Sequence, residues 1–208
     1  TLKDKKADFA IGRSSLLIDK ANGKDIVALF SAFQDSPLML LTRDDIDIKT
    51  LDDLKNKKIM LTSNAKNTAS ILAMLSSKKI YLDDVIVQKH SFNLDDLINH
   101  KTDAMGAYLS NEPVRLDDKG IKYKVFHSKD YGFSFYDDIL FTSSIFIDKN
   151  PKLTKAFYTA TIKGWEYAFE NIGKTAQIIH TKYNSQNKSF IHLVREGEIL
   201  KKLALNDT

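Results

Sequence analysis

The chain has no cysteine in its 208 residues, which removes disulfides, thiol nucleophiles and thiolate-held metals together. That absence leaves the compartment open, because bacterial chains of periplasm and cytosol alike do without the residue. No apolar run approaches the ~20 residues that a membrane-crossing helix needs, so direct insertion of these residues into a bilayer is not expected. Only three prolines occur, and Pro37, Pro113 and Pro151 all fall where an element starts or two apolar runs are separated. Charge of one sign is scarce too: 31 basic and 27 acidic side chains are mixed along the chain, with a net charge of +4. With no basic block, the pI of about 9.0 reflects lysine-rich solvated faces, and no nucleic-acid partner is expected. The five histidines (His90, His100, His127, His180, His192) lack HxxH or HExxH spacing, so no metal site is expected. GxSxG, P-loop and paired-carboxylate patterns are missing as well, which sets hydrolysis and phosphoryl transfer aside. The chain opens on Thr1 without a leader and reads as a mature or trimmed fragment.

What is present is ordinary globular material, 43% hydrophobic and 28% charged, enough for one domain or two small lobes. The organising stretch is Asp103-Ala-Met-Gly-Ala-Tyr-Leu-Ser-Asn-Glu-Pro113. A buried strand over Ala104–Tyr108 stops where a helix begins, with Ser110 or Asn111 as cap, Glu112 in the positive first turn and Pro113 needing no donor there. Leu2–Gly12 lies over Leu97–Ala107 without a gap and repeats the order helix end, turn, strand. There Arg13-Ser14-Ser15 starts the next helix at Leu16. Thr62-Ser63-Asn64, after a strand over Lys57–Leu61, makes the same junction a third time.

Between these lie strands over Ile26–Phe30, Leu38–Leu41, Val85–Val87, Tyr123–Phe126 and Ile139–Phe141. Ser36-Pro37 marks a crossover between lobes. From Pro151 the spacing of Leu153, Ala156, Phe157, Ala160 and Gly164 predicts a helix, broken at Asn171-Ile-Gly173 and followed by helices over Thr175–Tyr183 and Ser189–Leu205. Trp165 sits on the apolar face of the first as core. Alternating strands and helices with a helical tail argue for an α/β fold with mostly parallel sheets and flanking helices. Lobe 1 is expected from 1–41 and 142–208, and lobe 2 from 42–141.

Six segments carry a family resemblance: Ala7-Asp-Phe-Ala-Ile-Gly12, Gln34-Asp-Ser-Pro37, Asp53-Leu-Lys-Asn-Lys57, Tyr108 with Asn111-Glu-Pro113, Asp130-Tyr-Gly132 with Phe135-Tyr-Asp-Asp138, and Lys163-Gly-Trp-Glu-Tyr-Ala168. In this order they resemble the solute-binding family of fungal thiamine-pyrimidine synthases and bacterial pyrimidine, sulfonate and nitrate binding proteins. The resemblance implies the two-lobed type II periplasmic binding protein fold. Tyr108, Asn111-Glu-Pro113 and the aromatic segment are most similar to extracytoplasmic sensor domains of histidine kinases and diguanylate cyclases. It also implies an N-terminal strand-helix-strand unit that is missing here, either trimmed or supplied from elsewhere. The fungal enzymes depend on a cysteine-rich loop, which this chain cannot supply.

The resemblance implies two lobes closing over a small ligand, and the residues suggest its contacts. Gly12, Ser14 and Ser15 in one lobe, and Ser63 and Asn64 in the other, offer N–H and hydroxyl groups to a ligand or simply cap helices. Asn111 and Glu112 pair with an amide or amino group, or again only cap. Tyr108, Tyr131, Phe135 and Tyr136 can sandwich a planar ring or pack a seam, and Ser36 at the crossover joins the candidates. Asp138 accepts from a ring nitrogen or binds a cation, while the alternative leaves Asp137 and Asp138 solvated or pairing at a hinge. The first expectation is a non-enzymatic, extracytoplasmic sensor domain, tethered to the inner membrane and coupled to a signalling module in the same chain. The second is a free solute-binding protein of an ABC transporter for thiamine-pyrimidine-like compounds, with a permease as partner, and a pyrimidine-synthesis enzyme comes third. No cofactor is expected.

Overall fold

The computed structural model describes residues 7–62 and 68–205. In chain order it contains β1 (Ala10–Gly12), α1 (Leu16–Ala21), β2 (Val27–Phe33), β3 (Leu38–Arg43), β4 (Lys58–Leu61), α2 (Ala69–Ser77), β5 (Ile86–Lys89), α3 (Asp95–Ile98), β6 (Ala104–Tyr108), α4 (Glu112–Asp118), β7 (Tyr123–His127) and β8 (Asp137–Thr142). Four helices follow: α5 (Ser144–Lys149), α6 (Pro151–Glu170), α7 (Ile172–Ile178) and α8 (Phe190–Leu205). Two compact units result, one from the residues up to Asp35 and from Tyr136 onward, the other from Ser36–Phe135.

The second unit is a five-stranded sheet in the order β5-β4-β6-β3-β7. Side chains alternate across a strand, and here both faces are apolar. Leu38, Leu40, Ile59, Leu61 and Ala104 point into one cluster with Ile71, Met74 and Leu75 of α2. Met39, Leu41, Met60 and Met105 point into the opposite one with Leu97 of α3 and Leu116 of α4. A sheet covered on both sides reads as continuous hydrophobic runs, as Leu38–Leu41 does. At Thr50 an Asp53 carboxylate closes a capping box over the turn Leu51–Leu54, accepting from the Thr50 N–H at 2.8 Å.

The first unit holds a three-stranded sheet, β1-β8-β2, in which both pairings are antiparallel. One face is covered by α6 through aromatic contacts. Phe9 stacks on Phe157 with centroids 4.1 Å apart, and Phe30 and Phe33 meet Tyr158 and Trp165 edge-on. Between the last helices Gly197 of α8 is required, since a Cβ there would lie 2.8 Å from Cγ2 of Ile172.

Three expectations are corrected. The sheets are not mostly parallel: among the described residues only β4–β5 and β4–β6 run parallel, because β3 and β8 each run against their sheet neighbours. The unit boundaries fall before β3 and before β8 rather than after Leu41 and Phe141, since β3 hydrogen-bonds to β6 and β7 while β8 pairs only with β1 and β2. The stretch Thr175–Tyr183 is not one α-helix. The break is confined to Asn171, α7 resumes at Ile172, and Ile179–Tyr183 widens into a π-helical turn. The start of the leading copy of the repeat, residues 2–6, lies outside the described residues.

Candidate functional site

In the second unit the strand directions decide which loops share an edge. β4, β5 and β6 are parallel, so their carboxyl ends lie together. β3 runs the other way, which puts its first residue Leu38 opposite Tyr108 and Met39 opposite His127. Ser36-Pro37, Thr62, Tyr108 and His127 therefore come to one edge, the kind of edge where open α/β sheets bind ligands. The loops there are tied together: Leu109 N–H donates to the Pro37 carbonyl at 2.8 Å, and His127 Nε2 lies 2.6 Å from the Ser36 carbonyl. The Ser36 hydroxyl oxygen accepts from Leu38 N–H at 3.2 Å.

The junction of β6 and α4 departs from its expected capping. Neither Ser110, which is buried, nor Asn111 makes a side-chain cap bond. Glu112 turns back instead: one carboxylate oxygen accepts from Tyr108 N–H at 2.8 Å and the other from Asn111 Nδ2 at 2.7 Å. A carboxylate oxygen accepts and does not donate, so the nitrogen of the Asn111 amide must face Glu112. Asn111 Oδ1 is then left sealed from solvent with no partner, and so is the Thr62 hydroxyl just past the end of β4. Buried polar atoms without partners are uncommon and call for an explanation.

Tyr131 is half-buried and packs, like Tyr108, against the α2-side core of this unit. Burial pushes its phenol upward from the usual value, helped by the Asp130 charge. Phe135, half-buried, is the unit's last residue. Ser63 and Asn64 lie outside the described residues.

In the first unit the carboxyl ends of β1 and β2 meet the start of β8, because Gly12 pairs with Ile139 and Phe33 with Asp137. This edge gathers Gly12, Ser14, Ser15, Tyr136 and Asp138. Gly12 turns tightly into α1, where a Cβ would lie 2.9 Å from Cγ of Leu16. Ser14 donates its hydroxyl to the Tyr136 carbonyl at 2.6 Å, while Ser15 precedes α1 without a side-chain cap bond. Tyr136 is more than half exposed, at 56%.

Asp137 corrects the solvated reading: it is buried to 1% exposure, with Arg13 Nε 3.6 Å from its carboxylate. Arg13 was not among the candidate residues, since nothing in its spacing marks a partner more than a hundred positions away. Asp138 is half-buried at φ +46°, a left-handed conformation that few residues besides glycine, asparagine and aspartate adopt. Desolvation raises its carboxyl above the ordinary value, Asp137 adds to the rise, and Arg13 opposes it.

The aromatic candidates divide between the units, Tyr108, Tyr131 and Phe135 in one and Tyr136 in the other. Among the described residues no group of three histidine, aspartate or glutamate side chains is placed to hold a metal. No described helix is long and apolar enough to cross a membrane.

Residues 1–172 match the family described as NMT1/THI5 like. The chain belongs to the NMT1/THI5-like family. Within reach of this NMT1/THI5-like sequence is the formylaminopyrimidine-binding protein of Halalkalibacterium halodurans, 26% identical over 105 residues that make up 50% of this chain and 32% of that protein. Among solved structures the fold is similar to a protein assigned as the periplasmic sulfonate-binding protein SsuA of a sulfonate ABC transporter from Methylobacillus flagellatus. The TM-score is 0.67 at 19% identity, over 94% of this chain and 59% of that one. The periplasmic aliphatic sulphonate binding protein SsuA of Escherichia coli is similar with a TM-score of 0.57 at 16% identity, over 99% of this chain and 66% of that one. At such identities the likeness establishes the fold, that of the type II periplasmic binding proteins. The NMT1/THI5-like chain spans about a third of the curated relative, 32%, and under two thirds of the Methylobacillus protein, 59%.

Proposed function

We propose that the chain is the ligand-binding part of an extracytoplasmic solute-binding protein serving an ABC-type importer, with a permease as its partner and no catalytic step of its own. The solute is small and polar or heteroaromatic. The observation that carries this reading is the carboxyl edge of the second unit, where Ser36, Tyr108, Asn111, Glu112 and Tyr131 converge with two buried polar atoms left without partners. Family membership supports it, as do relatives described as formylaminopyrimidine-binding and sulfonate-binding. These descriptions, of a formylaminopyrimidine-binding protein and of the binding protein of a sulfonate ABC transporter, favour uptake over the sensor domain that the resemblance first suggested.

A thermal-shift screen of the complete chain with pyrimidines, amino acids and sulfonates tests the proposal. A solute that binds only the folded state stabilises it by about 2.7 kcal/mol at a hundred times its Kd. For a chain of this size that corresponds to a midpoint rise of roughly 5–10 °C. A flat response to every solute class would refute the reading.

A further inference from the structure

The strand β5 lies outermost in the sheet of the second unit and carries a surface distinct from the candidate solute contacts. Its Ile86 N–H donates to the Lys57 carbonyl, and the His90 N–H beyond its end to that of Leu61. Backbone groups alternate along a strand, so the N–H and C=O of Val87 and Lys89 point away from the sheet. Every large apolar side chain that stands exposed among the described residues of this unit falls on the same stretch: Tyr81, Leu82, Ile86, Val87 and Phe92. Phe92 is 77% exposed, and its φ of +58° is a left-handed conformation that a bulky residue seldom adopts. The conformation is secured from behind. Phe92 N–H donates to His90 Nδ1 at 2.9 Å, and the two rings lie 4.5 Å apart. With Nδ1 accepting, His90 Nε2 carries the proton and donates to the Gly106 carbonyl at 2.6 Å.

The order of residues along the edge says what fits it. A lysine on an edge strand ordinarily discourages pairing. Here the exposed Lys89 follows an acidic turn, Asp83-Asp84, with Ile86 and Val87 between them. Laid antiparallel on itself about Val87, the stretch is its own complement. Val87 meets Val87, Val85 comes opposite Lys89, the acidic turn runs beside Lys89-His90 of the other copy, and Leu82 comes level with Phe92. Only a register centred on a residue keeps the same face of both sheets on one side. Centring on Val87 lets its outward N–H and C=O bond reciprocally across the axis.

We infer that β5 is a self-recognition edge, through which two copies of the chain pair antiparallel about a two-fold axis at Val87 and join their five-stranded sheets into one. The inference stands independently of the solute-binding proposal. The pairing uses the same edge of both copies, so association stops at the dimer. With four residues in the strand the contact belongs to the small, transient class, and a Kd on the order of 10–100 µM is expected.

Sedimentation velocity of the complete chain from about 1 µM to about 1 mM, with amide exchange followed by NMR, tests this. The mass rises with concentration from 23.6 kDa toward twice that value, and the Val87 and Lys89 amides gain protection in step with it. Val87→Lys sets like charges opposite each other at the axis and weakens association at least about tenfold. The melting midpoint of the dilute variant moves by less than about 2 °C, because Val87 is exposed. Asp83→Lys and Lys89→Glu, each counted twice across the axis, each weaken the dimer about three- to tenfold at low salt, and together they restore it to within about threefold.

A chain that stays monomeric throughout overturns the inference, and so does a dimer indifferent to Val87→Lys. Failure of the double charge exchange to rescue, or Val87 and Lys89 amides that exchange as freely in the dimer as in the monomer, overturns it equally. Should Val87→Lys fail to fold, the charge exchange and the amide protection still decide.

Discussion

Replacing Glu112 with glutamine separates the polarity of the site from its shape. In the native chain the carboxylate accepts two hydrogen bonds, at 2.8 Å from Tyr108 N–H and 2.7 Å from Asn111 Nδ2. Bonds to a charged acceptor contribute about 1.5–3 kcal/mol each and neutral ones about 0.5–1.5, so two conversions cost about 2 kcal/mol. Glu112 is only half-buried, and solvent screening reduces that to about 1 kcal/mol. A loss of this size lowers the melting midpoint by roughly 2–4 °C, readable by far-UV circular dichroism. The larger consequence is geometric. Glutamine can still accept from Tyr108 with its oxygen, but its NH2 then faces the Asn111 NH2, donor against donor. Asn111 relieves the clash by rotating half a turn, which sends its nitrogen where the oxygen had been and converts an accepting site into a donating one. Glu112→Gln is expected to alter the side-chain amide resonances of Asn111. Unchanged amide resonances would refute the claim that Glu112 sets the orientation of Asn111.

Three further outcomes follow from the packing and the charges. Leu97→Ala empties a fully buried position between α3 and the Met39–Met105 face of the sheet, and should cost about 2–5 kcal/mol in urea unfolding. A loss below about 1 kcal/mol would show that this layer collapses around the gap. Gly197→Ala gains up to about 1 kcal/mol of helix propensity but drives a methyl to 2.8 Å from Ile172 Cγ2; overpacking of about 1–3 kcal/mol outweighs it. A net gain in the melting midpoint would mean α7 moves aside freely. Because the folded-state pKa of Asp138 is raised, the native chain holds this proton more firmly than the unfolded one. Its contribution therefore favours folding at low pH and falls as pH rises from the usual aspartate value to the raised one. Asp138→Asn, which also suits the positive φ, should raise the melting midpoint above that window and not below it. A midpoint difference between the two chains that is constant from about pH 3 to pH 7 would contradict the burial of Asp138.

Much of the architecture is legible where a local pattern dictates it. β6 spans Ala104–Tyr108 as its small and apolar run indicates, and α6 begins at Pro151 because Asn150-Pro151 can only start a helix there. Strand direction is a different matter. Leu38–Leu41 reads equally well in either orientation, and only its pairing with β6 and β7 makes it antiparallel. The site is divided in the same way. The chain's own spacing brings Tyr108, Asn111 and Glu112 together, yet capping residues and ligand contacts draw on the same alphabet. Which donor Glu112 takes is decided by a side chain turning back over one helical start. The pairing of Arg13 with Asp137 joins distant segments and leaves no trace in composition or period.

The single tryptophan sits in α6, its ring 5.6 Å from Phe33 and 5.2 Å from Phe169. Both of these rings belong to the first unit, and the span Ser36–Phe135 contains no indole. Intrinsic emission excited at the red edge thus watches one half of the polypeptide and stays blind to the other, whose melting must be followed through its peptide absorption. Comparing the two optical channels during denaturation would tell directly whether the halves come apart in concert or in succession.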